Sequence, residues 1–144
     1  MGSDSILTEV ISLLTSKFAD AQFEGVREAG FSDLSLRQFV YLEIIARLGQ
    51  PTPSELAKAL EVSKPTVTVA IERLEAAGYV RKIPSDTDRR SLRLRLTKKG
   101  EMFSKAHANI HRSIARAMTA GLAKAEVAAL TALMSKVLRH IKGK

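Results

Sequence analysis

The residues of this chain able to do chemistry are bases, hydroxyls and one histidine pair. Lys64, Thr66, Thr68, Val69 and Arg73 share the polar side of a helical segment. From position 81 to 99 there are eight basic residues and two acids, a local +6 in a chain of formal charge +8, so the charge is concentrated there. Guanidinium and ammonium groups hold phosphates, and hydroxyls bond phosphates or base edges. His107 and His111 stand four apart, a metal-ligand spacing that Glu24 could complete, but zinc takes four ligands and His140 lies in a different helix. Two hydrogen-bonded histidines are the simpler reading, with no metal and no cofactor. There is no cysteine, hence no thiolate nucleophile and no disulfide. Glycines are scattered singly and no nucleophile–base pair has a recognisable spacing, which points to binding rather than an enzyme.

These groups need elements to hold them. Thr52-Pro53-Ser54-Glu55 is a capping box with proline at the first helical position, opening a short helix with Leu56, Ala57 and Leu60 on its apolar side. Ser63 caps a second helix that tolerates Pro65 in its first turn, carries Val67, Ala70, Ile71 and Leu74 at helical spacing, and stops at Gly78. A short turn between two such helices is a helix-turn-helix signature. Residues 79–83 and 92–96 read as strands, the second alternating Leu92, Leu94 and Leu96 with Arg93 and Arg95. Between them, 84–91 is a polar hairpin tip. A helix shaped for the major groove beside a basic ribbon is a winged helix.

At this point the chain resembles the multiple antibiotic resistance regulators, the MarR family of bacteria and archaea. The resemblance is carried by Ser63-Lys64-Pro65-Thr66-Val67-Thr68, by Glu72-Arg73-Leu74-Glu75 with Gly78-Tyr79-Val80, by Asp88-Arg89-Arg90, and by Leu96-Thr97-Lys98-Lys99-Gly100. It extends over nearly the whole chain. It departs at Val69, where the family often has arginine. It implies a mainly α fold with a small β wing, in which residues 5–30 and 97–142 form dimerisation helices around a DNA-binding lobe at 35–96. It further implies double-stranded DNA and a second copy as partners, with small aromatic acids, phenols or drugs as effectors. Part of the family senses zinc, which makes His107 and His111 the basis of an alternative reading. The peroxide-sensing branch needs a cysteine that this chain lacks.

On this reading Lys64, Thr66, Thr68, Val69 and Arg73 face the major groove, framed by Ser63 and Pro65. Thr52 and Ser54 hold a phosphate at a helix N-terminus. Arg90 enters the minor groove, held by Asp88, and Arg89, Arg93 and Arg95 offer positioning charge. A basic architectural or RNA-binding module is the remaining alternative.

The flanks are helical by periodicity. Residues 5–29 carry an apolar stripe, and Ser35-Leu36-Arg37-Gln38 caps a helix to about 48 that is apolar nearly all round and so central in the core. Thr97 caps a helix to about 119 with Met102, Phe103, Ala106 and Ile110 on its stripe. A last helix at about 124–141 is expected to bury Leu130, Leu133, Met134, Val137 and Leu138. These outer helices hold more apolar surface than one small lobe can cover, which favours a homodimer. Phe18, Phe23, Phe39, Tyr41 and Phe103 are candidates for an effector pocket. No membrane span and no signal peptide is read, and Ile6 breaks a myristoylation motif, so a cytoplasmic location is expected.

Overall fold

The computed structural model describes residues 2–88 and 90–143, with the Ser3 side chain excepted. In chain order the elements are α1 (Ser3–Glu28), α2 (Leu36–Leu48), α3 (Pro53–Leu60), α4 (Lys64–Ala76), β1 (Val80–Pro84), β2 (Leu92–Leu96), α5 (Lys98–Thr119) and α6 (Lys124–Lys142). They fall into two compact units, 1–110 and 111–144.

In the first unit the helix starts are set by local chemistry. Ser35 and Gln38 cap α2 reciprocally: the Gln38 N–H donates to Ser35 Oγ at 3.3 Å and the Ser35 N–H to Gln38 Oε1 at 2.9 Å. Thr52 and Glu55 do the same for α3, at 3.1 and 2.7 Å. Ser63 Oγ accepts from the Thr66 N–H at 3.3 Å and opens α4. Gly78 leaves α4 with φ +79°, a left-handed turn that side chains resist. Glu61, between α3 and α4, takes the same conformation without being glycine (φ 53°), which strains the helix-turn-helix bend. β1 and β2 pair antiparallel with Val80 opposite Leu96 and Lys82 opposite Leu94.

The core is one cluster in which Leu42, Ile45, Leu56, Val67, Leu74 and Leu94 are wholly buried. Phe103 of α5 is an aromatic hub, edge-on to Phe31 at 5.7 Å and to Phe39 at 5.1 Å. Three expectations need correction. α2 buries Phe39, Tyr41, Leu42 and Ile45 but leaves Leu36 and Val40, one turn apart, exposed, so it is buried along one broad side rather than all round. On α5, Met102 faces solvent while His107 takes the buried place beside Phe103, because the helix turns its 100–103–107 edge inward. On β2, Leu94 is buried and Leu92 is exposed, since Leu92 lies beyond the core at the tip end of the ladder.

An ion network joins α5 to the lobe. The Tyr79 hydroxyl donates to Asp33 at 2.6 Å; Lys99 Nζ lies 3.0 Å from the other Asp33 oxygen, 3.0 Å from the Ala77 carbonyl and 4.1 Å above the Tyr79 ring. Burial first, and then the Asp33 carboxylate, push the Tyr79 hydroxyl upward, so it stays a donor. The Tyr79 hydrogen bond, aided by Lys99, lowers Asp33 from its ordinary 3.8. A carboxylate lowered in the fold contributes stability above its unfolded pKa and loses it as pH falls through the folded one. Asp33→Asn is therefore expected to remove about 0–1 kcal/mol near neutrality and to shrink that difference below about pH 4, as read by acid titration of helical circular dichroism.

In the second unit the Ala123 N–H is capped by the Glu126 carboxylate at 2.7 Å, and α6 follows. No residue of α6 is buried: Leu133, Met134, Val137, Leu138 and Ile141 are all about half exposed or more in the single chain. The expected burial of this stripe is therefore not achieved within one chain. Ile6, Leu7, Val10, Ile11 and Leu13 of α1 are similarly open. Charge also departs from expectation. Residues 111–144 hold seven bases against Glu126 alone, another +6, so the wing carries only one of two basic regions and the remaining sequence is net acidic. Among the described residues no helix is long and apolar enough to cross a membrane.

Candidate nucleic-acid interface

The outer face of α4 is open. Ser63, Lys64, Pro65, Thr66, Thr68, Val69 and Arg73 are all exposed. Their hydroxyls are partly engaged. Thr68 Oγ1 donates to the Lys64 carbonyl at 3.0 Å, and Ser63 Oγ and Thr66 Oγ1 share a 2.7 Å bond. A threonine that donates its proton to its own helix keeps lone pairs for accepting, and a methyl for apolar contact. Thr68 is therefore suited to meet an amino donor or a thymine methyl. Arg73 and Val69 flank a hollow of about 280 Å³ whose other wall is the start of α2, including Ser35, Arg37 and Tyr41.

Thr52 and Ser54 separate in role. Thr52 Oγ1 and N–H are both used in the α3 cap, and Glu55 is held charged by the Thr52 N–H, its pKa lowered. Ser54 is exposed at the same helix start.

At the wing tip, Asp88 Oδ1 accepts from the Arg90 backbone N–H at 2.9 Å, and the Ser91 N–H donates to the Asp88 carbonyl at 2.9 Å. Asp88 thus shapes the turn through the backbone, where sequence reasoning assigned it to the guanidinium. Arg90 is exposed; Arg89 lies outside the described residues. Arg93 turns toward the lobe, its Nη1 2.7 Å from the Gln50 carbonyl. Arg95 is exposed directly opposite Arg81 on the ladder. Arg81 was missed by sequence reasoning, although the alternation of the two strands would have paired it. Like charges facing across one rung repel, and an anion bound between them would relieve that. Lys82 instead reaches back to Glu75 of α4 at 3.3 Å.

The remaining candidates are dispersed. Phe39 and Phe103 are core residues, Tyr41 lines the hollow beside α4, Phe18 is half-buried, and Phe23 lies under the Arg27 guanidinium at 5.9 Å. His107 Nε2 lies 3.1 Å from the Gln22 amide and packs edge-on to Phe39 at 4.9 Å. Glu24 lines a surface hollow with Arg27, Glu28 and Ser32. Among the described residues no group of three or more histidines and carboxylates is placed to hold a metal.

A capped helix pair with an exposed second helix, followed by a basic two-stranded ribbon, defines a winged helix-turn-helix protein. The sequence profile of the MarR family matches residues 32–91. The HTH-type transcriptional regulator PecS of Dickeya dadantii is 31% identical over 134 residues, covering 91% of this chain and 77% of its own length. The multiple antibiotic resistance protein MarR of Escherichia coli is 32% identical over 107 residues, 74% of each chain. Streptococcus pneumoniae FabT, solved in complex with DNA, superposes with a TM-score of 0.68 at 28% identity, over 95% of this chain and 98% of that one. This chain belongs to the MarR family, whose members are transcription regulators.

Proposed function

We propose that the protein is a homodimeric transcription repressor, acting in the cytoplasm without catalysis, that binds an inverted-repeat operator and is released by a small aromatic or phenolic ligand. The observation that carries DNA reading is the open face of α4 beside the basic wing. The FabT–DNA complex supports it by similarity. Lys64, Thr66, Thr68, Val69 and Arg73 read the major groove, Ser54 holds a phosphate and Arg90 enters the minor groove. Dimerisation is supported by the open apolar strips of α1 and α6, since large contiguous apolar patches mark interfaces. Two reading heads on a two-fold axis match a repeat with half-site centres about 10–10.5 bp apart. The hollow between Arg37 and Arg73 offers an anionic aromatic ligand two cations and the Tyr41 ring.

The test is footprinting on the inverted repeats nearest the protein's own gene, with light scattering of the free protein. Protection of one repeat by a dimer is expected; equal affinity for that repeat and a scrambled duplex at physiological salt would remove the reading. Within it, Arg90→Ala is expected to weaken operator binding by about 1–3 kcal/mol, the range of one groove contact. Asp88→Ala should also weaken it, because the turn loses its acceptor. Asp88→Asn, which keeps that acceptor and drops a negative charge, should bind at least as tightly as wild type. Weak binding by Asp88→Asn, measured by fluorescence anisotropy, would return the carboxylate charge to the guanidinium.

A further inference from the structure

We propose that Arg93 is a positioning residue, fixing the wing against the reading helices, and not a phosphate contact. The inference rests on the DNA-binding reading above. Nη1 of Arg93 donates to the Gln50 carbonyl at 2.7 Å and lies 3.8 Å from Glu55 Oε2, while Nε donates to Ser85 Oγ at 3.4 Å. One guanidinium thereby bridges the α2–α3 loop, the first turn of α3 and the base of the wing tip. Each anchor is itself fixed. The same Glu55 oxygen caps the Thr52 N–H at 2.7 Å. Ser85 is buried, and its N–H donates to the Ser91 carbonyl at 2.8 Å. The neighbouring Leu94 N–H donates to the Pro51 carbonyl at 2.8 Å, so β2 is already bonded to that loop at this point.

A planar fork of donors holds an angle as well as a distance, which an ammonium cannot do. A two-stranded hairpin has no other sheet neighbour to fix its tilt, and a small rotation at its base becomes a larger displacement at the tip. Recognition groups need placement to about 0.5 Å and 10–20°. Arg93 supplies that by setting where Arg90 lies relative to α4. Its Nε and Nη1 are directed at protein acceptors, which leaves the main phosphate contacts to Arg95 and Arg90.

The experiment is a double-mutant cycle with Arg93→Met and Arg90→Ala in the full-length protein. Both are measured on the protected repeat and on scrambled DNA across a salt series, with thermal melts as a check of folding. Arg93→Met is expected to weaken operator binding about tenfold or more, to change scrambled binding little, and to keep the wild-type salt slope. Arg90→Ala should cost less than about twofold when added to Arg93→Met, because the misplaced arginine no longer contributes. Additive losses, or a slope reduced by about two for the two copies in a dimer, would make Arg93 an ordinary phosphate contact and overturn the proposal. Arg93→Lys gives the same test with a milder change. Partial recovery with the same non-additivity is expected, and full recovery of operator affinity would show that charge alone suffices and overturn it. A wild-type protein that does not distinguish the repeat from scrambled DNA would instead remove the DNA-binding reading itself.

Discussion

Gly100→Ala is expected to destabilise the protein by about 3 kcal/mol, the upper end of the usual overpacking cost, and to lower the yield of folded protein. A methyl there would overlap the Tyr79 carbonyl oxygen, with the Leu96 side chain at 3.2 and 3.3 Å on another side. The oxygen cannot retreat, since it accepts the Thr97 N–H at 3.0 Å, and Tyr79 is tied through its hydroxyl to Asp33. The Gly100 N–H also donates to Thr97 Oγ1 at 3.2 Å in the α5 cap. A flexible side chain could give way; a backbone carbonyl inside two hydrogen-bonded elements cannot. Chemical denaturation should therefore show a lower midpoint with an unchanged slope. Gly121→Ala, in the turn after α5 where nothing lies within 4 Å, serves as an open-site control and should be close to neutral. An equal loss in both variants would mean that the overlap with the Tyr79 carbonyl does not explain the effect, since replacing glycine by alanine within α5 would by helix propensity alone be favourable.

The second large effect is on binding. The chain offers Lys64, Arg73, Arg81, Arg90 and Arg95 as exposed cations around α4 and the wing. If a dimer uses six or more of them on phosphates, operator affinity should fall about a thousandfold or more between 50 and 200 mM salt, because neutralised phosphates release condensed counterions. Scrambled DNA should show a comparable slope from a weaker starting point. The measurement is a series of anisotropy titrations. A slope near zero in log affinity against log salt would contradict a recognition surface built on these cations.

How far the sequence revealed this depends on distance along the chain. The caps at Ser35, Thr52 and Ser63 were legible because both partners lie within three residues. So were the strands, through the alternation of Leu92 to Leu96, and the basic wing, through its charge. Arg93 was not legible as an inward residue, because its acceptor, Gln50, is 43 positions away and a strand arginine reads as solvated. The Asp33–Tyr79–Lys99 network was invisible for the same reason, spanning 46 and 66 positions. His107 was weighed as a ligand and is a core neighbour of Phe39, a choice decided only by the rotation of α5. Helical periodicity located the apolar stripe of α6 correctly. It could not tell whether the stripe is covered by the same chain, since the pattern is identical for a core and for an interface.

The facing pair Arg81 and Arg95 bears on the timing of recognition. Two guanidinium groups facing on one rung of a five-residue ladder disfavour that rung of the free wing. Its amides should exchange with solvent early, well ahead of those of α2 and α4. Polyanion binding between the two arginines would slow that exchange, so some of the contact free energy is consumed in ordering the ribbon. If α4 occupies a groove as proposed, dissociation would have a natural first step, with the ribbon loosening before α4 leaves it.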